Sequence, residues 1–303
     1  MKKRLGSLSL PPQDLGLALL IVVLWGSNNV VLKYITDAVP PLFAGGVRFA
    51  LQALCLLPFL RCTREELPKL LLLGALTGPL YFFLIYTGFA AAGQVSDVIV
   101  FFFMWVPLAT LLAIPLIGER PTAVGWLGLA LSMLGIAVLG ASPNILASPL
   151  GVTLVGIGAL LWALATVLAR KLGGVRAVPL QAWSAVLAAP PMLLASHALE
   201  PGALAAASGW WAPLIALSLY SALCAGTGGN GLMFVLVRRH PVDKVTPYLL
   251  LTLPYTVATG VIFLGDTLTP RMIAGMLITL AGLVAVTLQG QFRRKPPAAP
   301  TNA

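Results

Sequence analysis

Apolar residues along this chain come in runs of about twenty, each ended by prolines, glycines or a small group of charges. The runs fall at roughly 15–35, 41–60, 68–92, 98–117, 122–141, 150–169, 178–198, 213–237, 245–264 and 271–290. A helix rises 1.5 Å per residue, so each run is long enough to cross the hydrocarbon core of a bilayer. The ten-residue alternation of a membrane β-barrel is missing. The pattern therefore predicts an all-α membrane protein of ten transmembrane helices, with Pro40-Pro41, Pro68, Pro121, Pro149 and Pro270 marking boundaries.

The pattern also repeats. Pro107, Gly118, Gly128 and Gly135 return as Pro254, Gly265, Gly275 and Gly282 at a common offset of 147, with an acid after the first glycine each time, Glu119 and then Asp266. Upstream, Leu24-Trp25 and Lys33 return as Leu161-Trp162 and Arg170 at an offset of 137. The two offsets differ by ten, which asks for a longer connection in the second copy, best placed around 199–211. One unit used twice is the reading. It divides the chain into an N-terminal segment 1–14, a first five-helix repeat 15–141, a linker 142–149, a second five-helix repeat 150–290 and a C-terminal tail 291–303. Five is odd, so the second copy enters the membrane from the opposite face and the repeats are inverted. In transporters built this way the substrate sits between the halves near the midplane.

Composition agrees with the pattern. With 59% hydrophobic and 9% charged residues, the chain is unlike soluble globular proteins, which carry about 25% charged residues. The formal charge of +10 would suggest nucleic acid in a soluble protein, but these cations lie in short loops between apolar runs. Lys2, Lys3, Arg4, Arg61, Arg64, Lys69, Arg120, Arg170, Lys171, Arg176, Arg238, Arg239, Lys244, Arg293, Arg294 and Lys295 all fall on one side of the membrane; Lys33, Arg48 and Arg271 do not. That bias predicts both termini in the cytoplasm and no nucleic-acid partner. Cys55, Cys62 and Cys224 are isolated and give no metal or disulfide spacing. The first run is too long for a cleaved signal peptide and is expected to stay as a span.

Polar residues inside the runs are the candidate chemistry. Trp25-Gly26-Ser27-Asn28-Asn29 sits mid-span, where lipid cannot satisfy two amides and a hydroxyl. Asn28 and Asn29 either hydrogen-bond a polar substrate or tie helices together. Trp25 and Trp162 either wall a cavity or pack as core. Gly226 to Gly231 holds a formal GxGxxG, but inside an apolar run it reads as a weakened or locally unwound eighth span, with Asn230 facing the cavity. Pro79, Pro107, Pro190, Pro191 and Pro254 should kink their spans, as packing devices or as hinges, with Pro107 and Pro254 the candidate gates. Tyr81, Trp105 and Tyr255 lie within about a turn of such kinks and would border the same space. Gly128/Gly135 and Gly275/Gly282 are two turns apart and mark packing faces. Arg48, with no acid on its helix, either snorkels outward or anchors a substrate carboxylate. Lys33 and Arg170 each close a span, where a cation suits the helix C-terminus.

No acid falls inside a predicted span, and His197 and His240 sit at span ends. A proton-driven carrier keeps an intramembrane carboxylate or histidine, so facilitated transport is favoured, with Asp97 and Glu119 the acids that water could still couple. No nucleophile–base pair or ligand cluster suggests an embedded enzyme, which stays as the alternative class, and no metal or cofactor is expected.

The WGSNNVVLK segment, the P…GER…G…G block and their echoes LWALATVLARK and P…GDTLTP…G…G resemble the drug/metabolite transporter superfamily, specifically its EamA-type ten-helix exporters, over roughly residues 14–290. The resemblance implies inverted five-helix repeats around a cavity open to one face at a time and export of small metabolites. Within that group the chain is most similar to YddG-type amino-acid exporters, which implies neutral or aromatic amino acids as cargo. Trp25 to Lys33 matches the family's first-helix signature. Glu119 and Asp266 match the acid after the fourth and ninth helices, with Asp266 in place of the usual glutamate. The expected setting is the bacterial inner membrane, with a monomer as the unit. Cationic drugs and nucleotide sugars are the alternative cargoes.

Overall fold

The computed structural model describes residues 10–119, 121–140, 148–240 and 242–293. The side chains of Asp97, Gly140, Phe234, Val237, Arg238, 242–244, Thr246 and 288–293 lie outside that description. Lys2, Lys3, Arg4, Arg120, Arg294, Lys295, nearly all of the expected linker and most of both tails are outside it as well.

Among the described residues nine segments are long and apolar enough to cross a membrane, and a shorter apolar helix that opens at Ala123 makes the tenth. They are α1 (Pro12–Ala38), α2 (Pro41–Leu56, drawn out by a 3-10 turn over Leu57–Leu60) and α3 (Leu67–Ala91). Next come α4 (Val95–Phe102 and Trp105–Ile117) and α5 (Ala123–Gly140). The second set is α6 (Pro149–Leu172), α7 (Ala177–Leu199), α8 (Trp211–Leu219, Tyr220–Gly228 and Gly229–Arg239), α9 (Val242–Leu249 and Thr252–Leu264) and α10 (Pro270–Arg293). A one-turn helix, Ala203–Ala206, occupies the long α7–α8 connection. Prolines open α1, α2, α6 and α10, where a missing N–H costs nothing. That start brings Asp14 into the first turn of α1, ahead of where the apolar pattern begins.

Glycines show how the repeats run. Gly128 on α5 abuts Gly282 and Val286 on α10, where a Cβ would come within 2.6 Å of the Val286 nitrogen. Gly135 meets Gly275 and Thr279. Early residues of α5 thus meet late residues of α10, so these equivalent helices cross antiparallel and the repeats are inverted. The same holds for α2 and α7, where Gly45 and Gly46 meet Met192 and Leu193 while Gln52 reaches Gln181 at 3.2 Å. Neighbours obey the twofold too: α1 packs on α8 and α9, and its equivalent α6 packs on α3 and α4. Close approach through small residues is how helices associate in lipid, where apolar side chains gain nothing by hiding from one another. The outer surface keeps its apolar chains exposed, with Leu194 at 70% and Phe263 at 73%.

Two irregularities are shared by both repeats. α4 is interrupted at Phe103 and Met104, and α9 at Leu250 and Leu251, again 147 residues on. Pro107 and Pro254 each sit third in the helix that resumes, so each span breaks rather than bends, and the proline falls in a first turn that tolerates it. The third span of each repeat contains π-helical turns, Leu76–Leu80 in α3 and Tyr220–Gly228 in α8. The glycine-rich eighth span is therefore widened rather than unwound. Pro79 lies inside the first π segment, while Pro190 and Pro191 stay within an uninterrupted α7.

Polar ties close both ends. At the end holding the start of α1, Arg239 donates to Asp14 at 2.8 Å and His240 Nε2 lies 2.6 Å from the same carboxylate. Arg170 pairs with Glu119, Lys69 donates to the Leu172 carbonyl at 3.1 Å, and Arg176 grips Glu66 at 2.9 Å and 3.0 Å. The Thr63 amide and then Arg176 hold the Glu66 carboxyl below its ordinary range. At the other end Glu200 accepts from the amides of Leu42 and Phe43, and Asp266 accepts from Ser96 N at 2.8 Å and Ser96 Oγ at 2.5 Å. Carboxylates suit these helix N-termini. Beside Asp266, Thr267 N and Gln94 Oε1 are 2.6 Å apart.

Candidate functional site

A strip of aromatic and polar side chains crosses the bundle between these ends. Trp162 on α6 lies against Tyr81 on α3, ring centres 4.9 Å apart, and Tyr81 meets Phe82 at 4.7 Å. Phe82 and Phe49 flank the Arg48 guanidinium, 4.6 Å and 4.5 Å from their ring centres. Arg48 Nε donates to Ser221 Oγ at 2.9 Å, in the π-helical part of α8. A few residues on, Trp25 Nε1 donates to the Ala225 carbonyl at 3.1 Å, and Gly229 lies against the same indole. The two symmetry-related tryptophans thus stand at the ends of one strip.

The π turns matter to this arrangement. A π segment shifts its hydrogen bonds from i−4 to i−5, which widens the helix and re-aims carbonyls. Thr227 Oγ1 takes the Ala222 carbonyl at 3.0 Å, five residues back, and Trp25 takes that of Ala225. The missing side chains at Gly226 and Gly229 leave room for the Arg48 guanidinium and the Trp25 indole against this segment.

On the far side of α1, Asn29 Nδ2 donates to Thr256 Oγ1 at 3.1 Å, and Thr256 reaches the Gly26 carbonyl at 3.3 Å. Ser27 Oγ and Tyr220 Oη are 2.6 Å apart. Tyr255 packs on Gly26 and joins Ser27, Tyr34, Thr259 and Phe263 around a groove of about 330 Å³ between α1 and α9. Asn29 therefore ties α1 to α9, whereas the Oδ1 of Asn28 is buried and has no protein partner.

Arg48 is only 3% exposed, so it does not snorkel outward. Trp105 is half-buried against the apolar core rather than on the strip, and Asn230 follows Gly229 on α8, half-buried. The Gly128, Gly135, Gly275 and Gly282 faces belong to the α5–α10 crossing, away from the strip. Pro107 and Pro254 stand just beyond the two helix breaks. Sequence reasoning missed Phe49, Phe82, Gln52, Ser218 and Ser221. Gln52 was findable, one turn beyond Arg48 on the same face; the others depend on how separate helices meet. Among the described residues no three histidine, cysteine or acidic side chains gather as a metal site.

Ten spanning segments in inverted repeats around a buried polar strip make this a multi-pass membrane transporter. The chain belongs to the EamA-like transporter family, whose model matches twice, over residues 15–141 and 149–288. It is 31% identical over 297 residues, 92% of this chain and 96% of the relative, to a "Probable amino-acid metabolite efflux pump" of Salmonella typhimurium. A protein of Escherichia coli K12 with the same description is 29% identical, covering 88% of this chain and 92% of that one. The "Uncharacterized inner membrane transporter YedA" of the same strain is 30% identical over 50% of this chain and 51% of its own length. A solved crystal structure shares the fold at a TM-score of 0.60 and 17% identity, covering 94% of this chain and all of that one. The chain is a membrane metabolite exporter.

Proposed function

We propose that the chain exports small neutral or aromatic amino acids across the bacterial inner membrane by alternating access, down the cargo's own gradient. The observation that carries this is a set of buried polar atoms without protein partners, Asn28 Oδ1, Arg48 Nη1, Gln52 Oε1, Ser218 Oγ and Thr252 Oγ1, all within spanning segments. Buried polar atoms left without a partner are costly, so a polar ligand that satisfies them is favoured. Arg48 Nη1 is an unmet donor and Gln52 Oε1, one turn along the same helix, an unmet acceptor, which suits a zwitterion better than a cation alone, and the Phe49 and Phe82 rings beside Arg48 suit an apolar side chain. Breaks in α4 and α9 supply the places where each repeat bends as the halves rock, with Pro107 and Pro254 fixing them. The excess of basic residues at the end holding α1's start supports a cytoplasmic position for both termini.

Every carboxylate whose side chain is described lies near one end of a span or in a connection, which favours a facilitator over a proton antiporter. Proteoliposomes loaded with unlabelled leucine or phenylalanine should take up the labelled amino acid without an imposed pH step. Uptake that requires the step would remove the facilitator part, and no uptake under either condition would remove the cargo assignment.

A further inference from the structure

We propose that the free edge of the Arg48 guanidinium is the docking point for the cargo's carboxylate, which deepens the export reading above and rests on it. Arginine keeps its charge in any protein environment. Arg48 lies seven residues into α2, buried, with Phe49 and Phe82 against its guanidinium. The rings favour the cation through their π faces but take none of its N–H groups. Among the described residues Nε donates to the Ser221 hydroxyl, while Nη1 is buried and has no partner. No described acidic residue forms an ion pair with it.

A buried cation without a counter-ion is among the costliest arrangements a membrane helix can hold. A guanidinium with ring contacts on its faces and a free Nη group still presents the planar fork that binds a carboxylate through two parallel hydrogen bonds. Surrounding residues keep that edge polar. Gly226 approaches Nη2, where a Cβ would stand at 3.4 Å. Gln52, one turn along α2, and Ser218, three residues before Ser221 on α8, present buried oxygens without partners. An arginine that served only to hold α2 against α8 would spend more of its donors on partners in α8 than the single bond to Ser221.

The test uses the purified full-length chain in nanodiscs, with thermal stabilisation as the binding readout and three probes: L-leucine, L-leucinamide, which keeps the amine and carries a neutral carboxamide in place of the carboxylate, and 4-methylpentanoate, which keeps the carboxylate and lacks the amine. Leucine and 4-methylpentanoate should bind the wild-type chain at least tenfold more tightly than leucinamide. Arg48→Gln should lose that preference, and Arg48→Lys should retain part of it. Equal binding of acid and amide by the wild-type chain, no binding of either acid, or a folded Arg48→Gln chain that still prefers acids would each overturn the proposal. Should Arg48→Gln not fold, the acid-against-amide comparison on the wild-type chain decides alone. Leucine flux separates this from the export reading: Arg48-dependent binding of acids without flux leaves the site and removes the export of amino acids. Flux that does not distinguish acid from amide does the reverse.

Discussion

Trp25 and Trp162 occupy equivalent positions in the two repeats but are held differently. Trp25 spends its indole N–H on a carbonyl of α8, whereas Trp162 is placed by its ring face on Tyr81. Trp25→Phe should therefore leave the Ala225 carbonyl unmet and destabilise the fold by about 1 kcal/mol, while Trp162→Phe keeps a ring on Tyr81 and costs less. Reversible unfolding in mixed micelles compares the two. The sequence made both tryptophans visible as a repeat, and made Arg48 visible as a charge where lipid tolerates none. It did not reveal the Phe82 ring over Arg48 or the Ser221 hydroxyl beneath it, because these come from α3 and α8 and no local pattern records which helices meet.

Among the helices, the α5–α10 crossing has the least slack. A Cβ on Gly282 would come within 2.6 Å of Ser132 Oγ and 2.7 Å of the Gly128 carbonyl, and a backbone atom cannot swing aside as a side-chain end can. Gly282→Leu should cost about 3 kcal/mol, the upper end of overpacking, and lower the melting temperature of the purified protein without changing its cargo preference. The broken helices behave otherwise. Pro254→Ala lets the second half of α9 extend toward Leu250 and close the gap, so we expect slower exchange in counterflow assays with stability little altered. Proline and glycine spacing announced both the close crossing and the disturbed spans. Pro79 and the glycine-rich run 226–231 marked the spans that carry the π turns but not the turns themselves, since a one-residue slip in hydrogen bonding needs no special composition.

For the molecule as a whole, polar ties close both ends of the bundle, and alternating access requires each end to release in turn. A Gln94→Cys/Thr267→Cys pair, in a chain from which Cys55, Cys62 and Cys224 have been removed, would lock the end where Gln94 and Thr267 already hydrogen-bond. Oxidation should abolish flux and a reductant should restore it; flux that survives the crosslink would rule out opening at that end. The overall plan was readable from span count and the odd number of helices per copy, which together force inversion. The α4 and α9 interruptions, 147 residues apart, lie in oppositely threaded copies of one unit. A lesion that stiffens one of them should bias the resting protein toward one side of the membrane, and the matching lesion in its counterpart should bias it toward the other. Combining the two would then restore the balance of orientations while leaving the carrier slower in both directions.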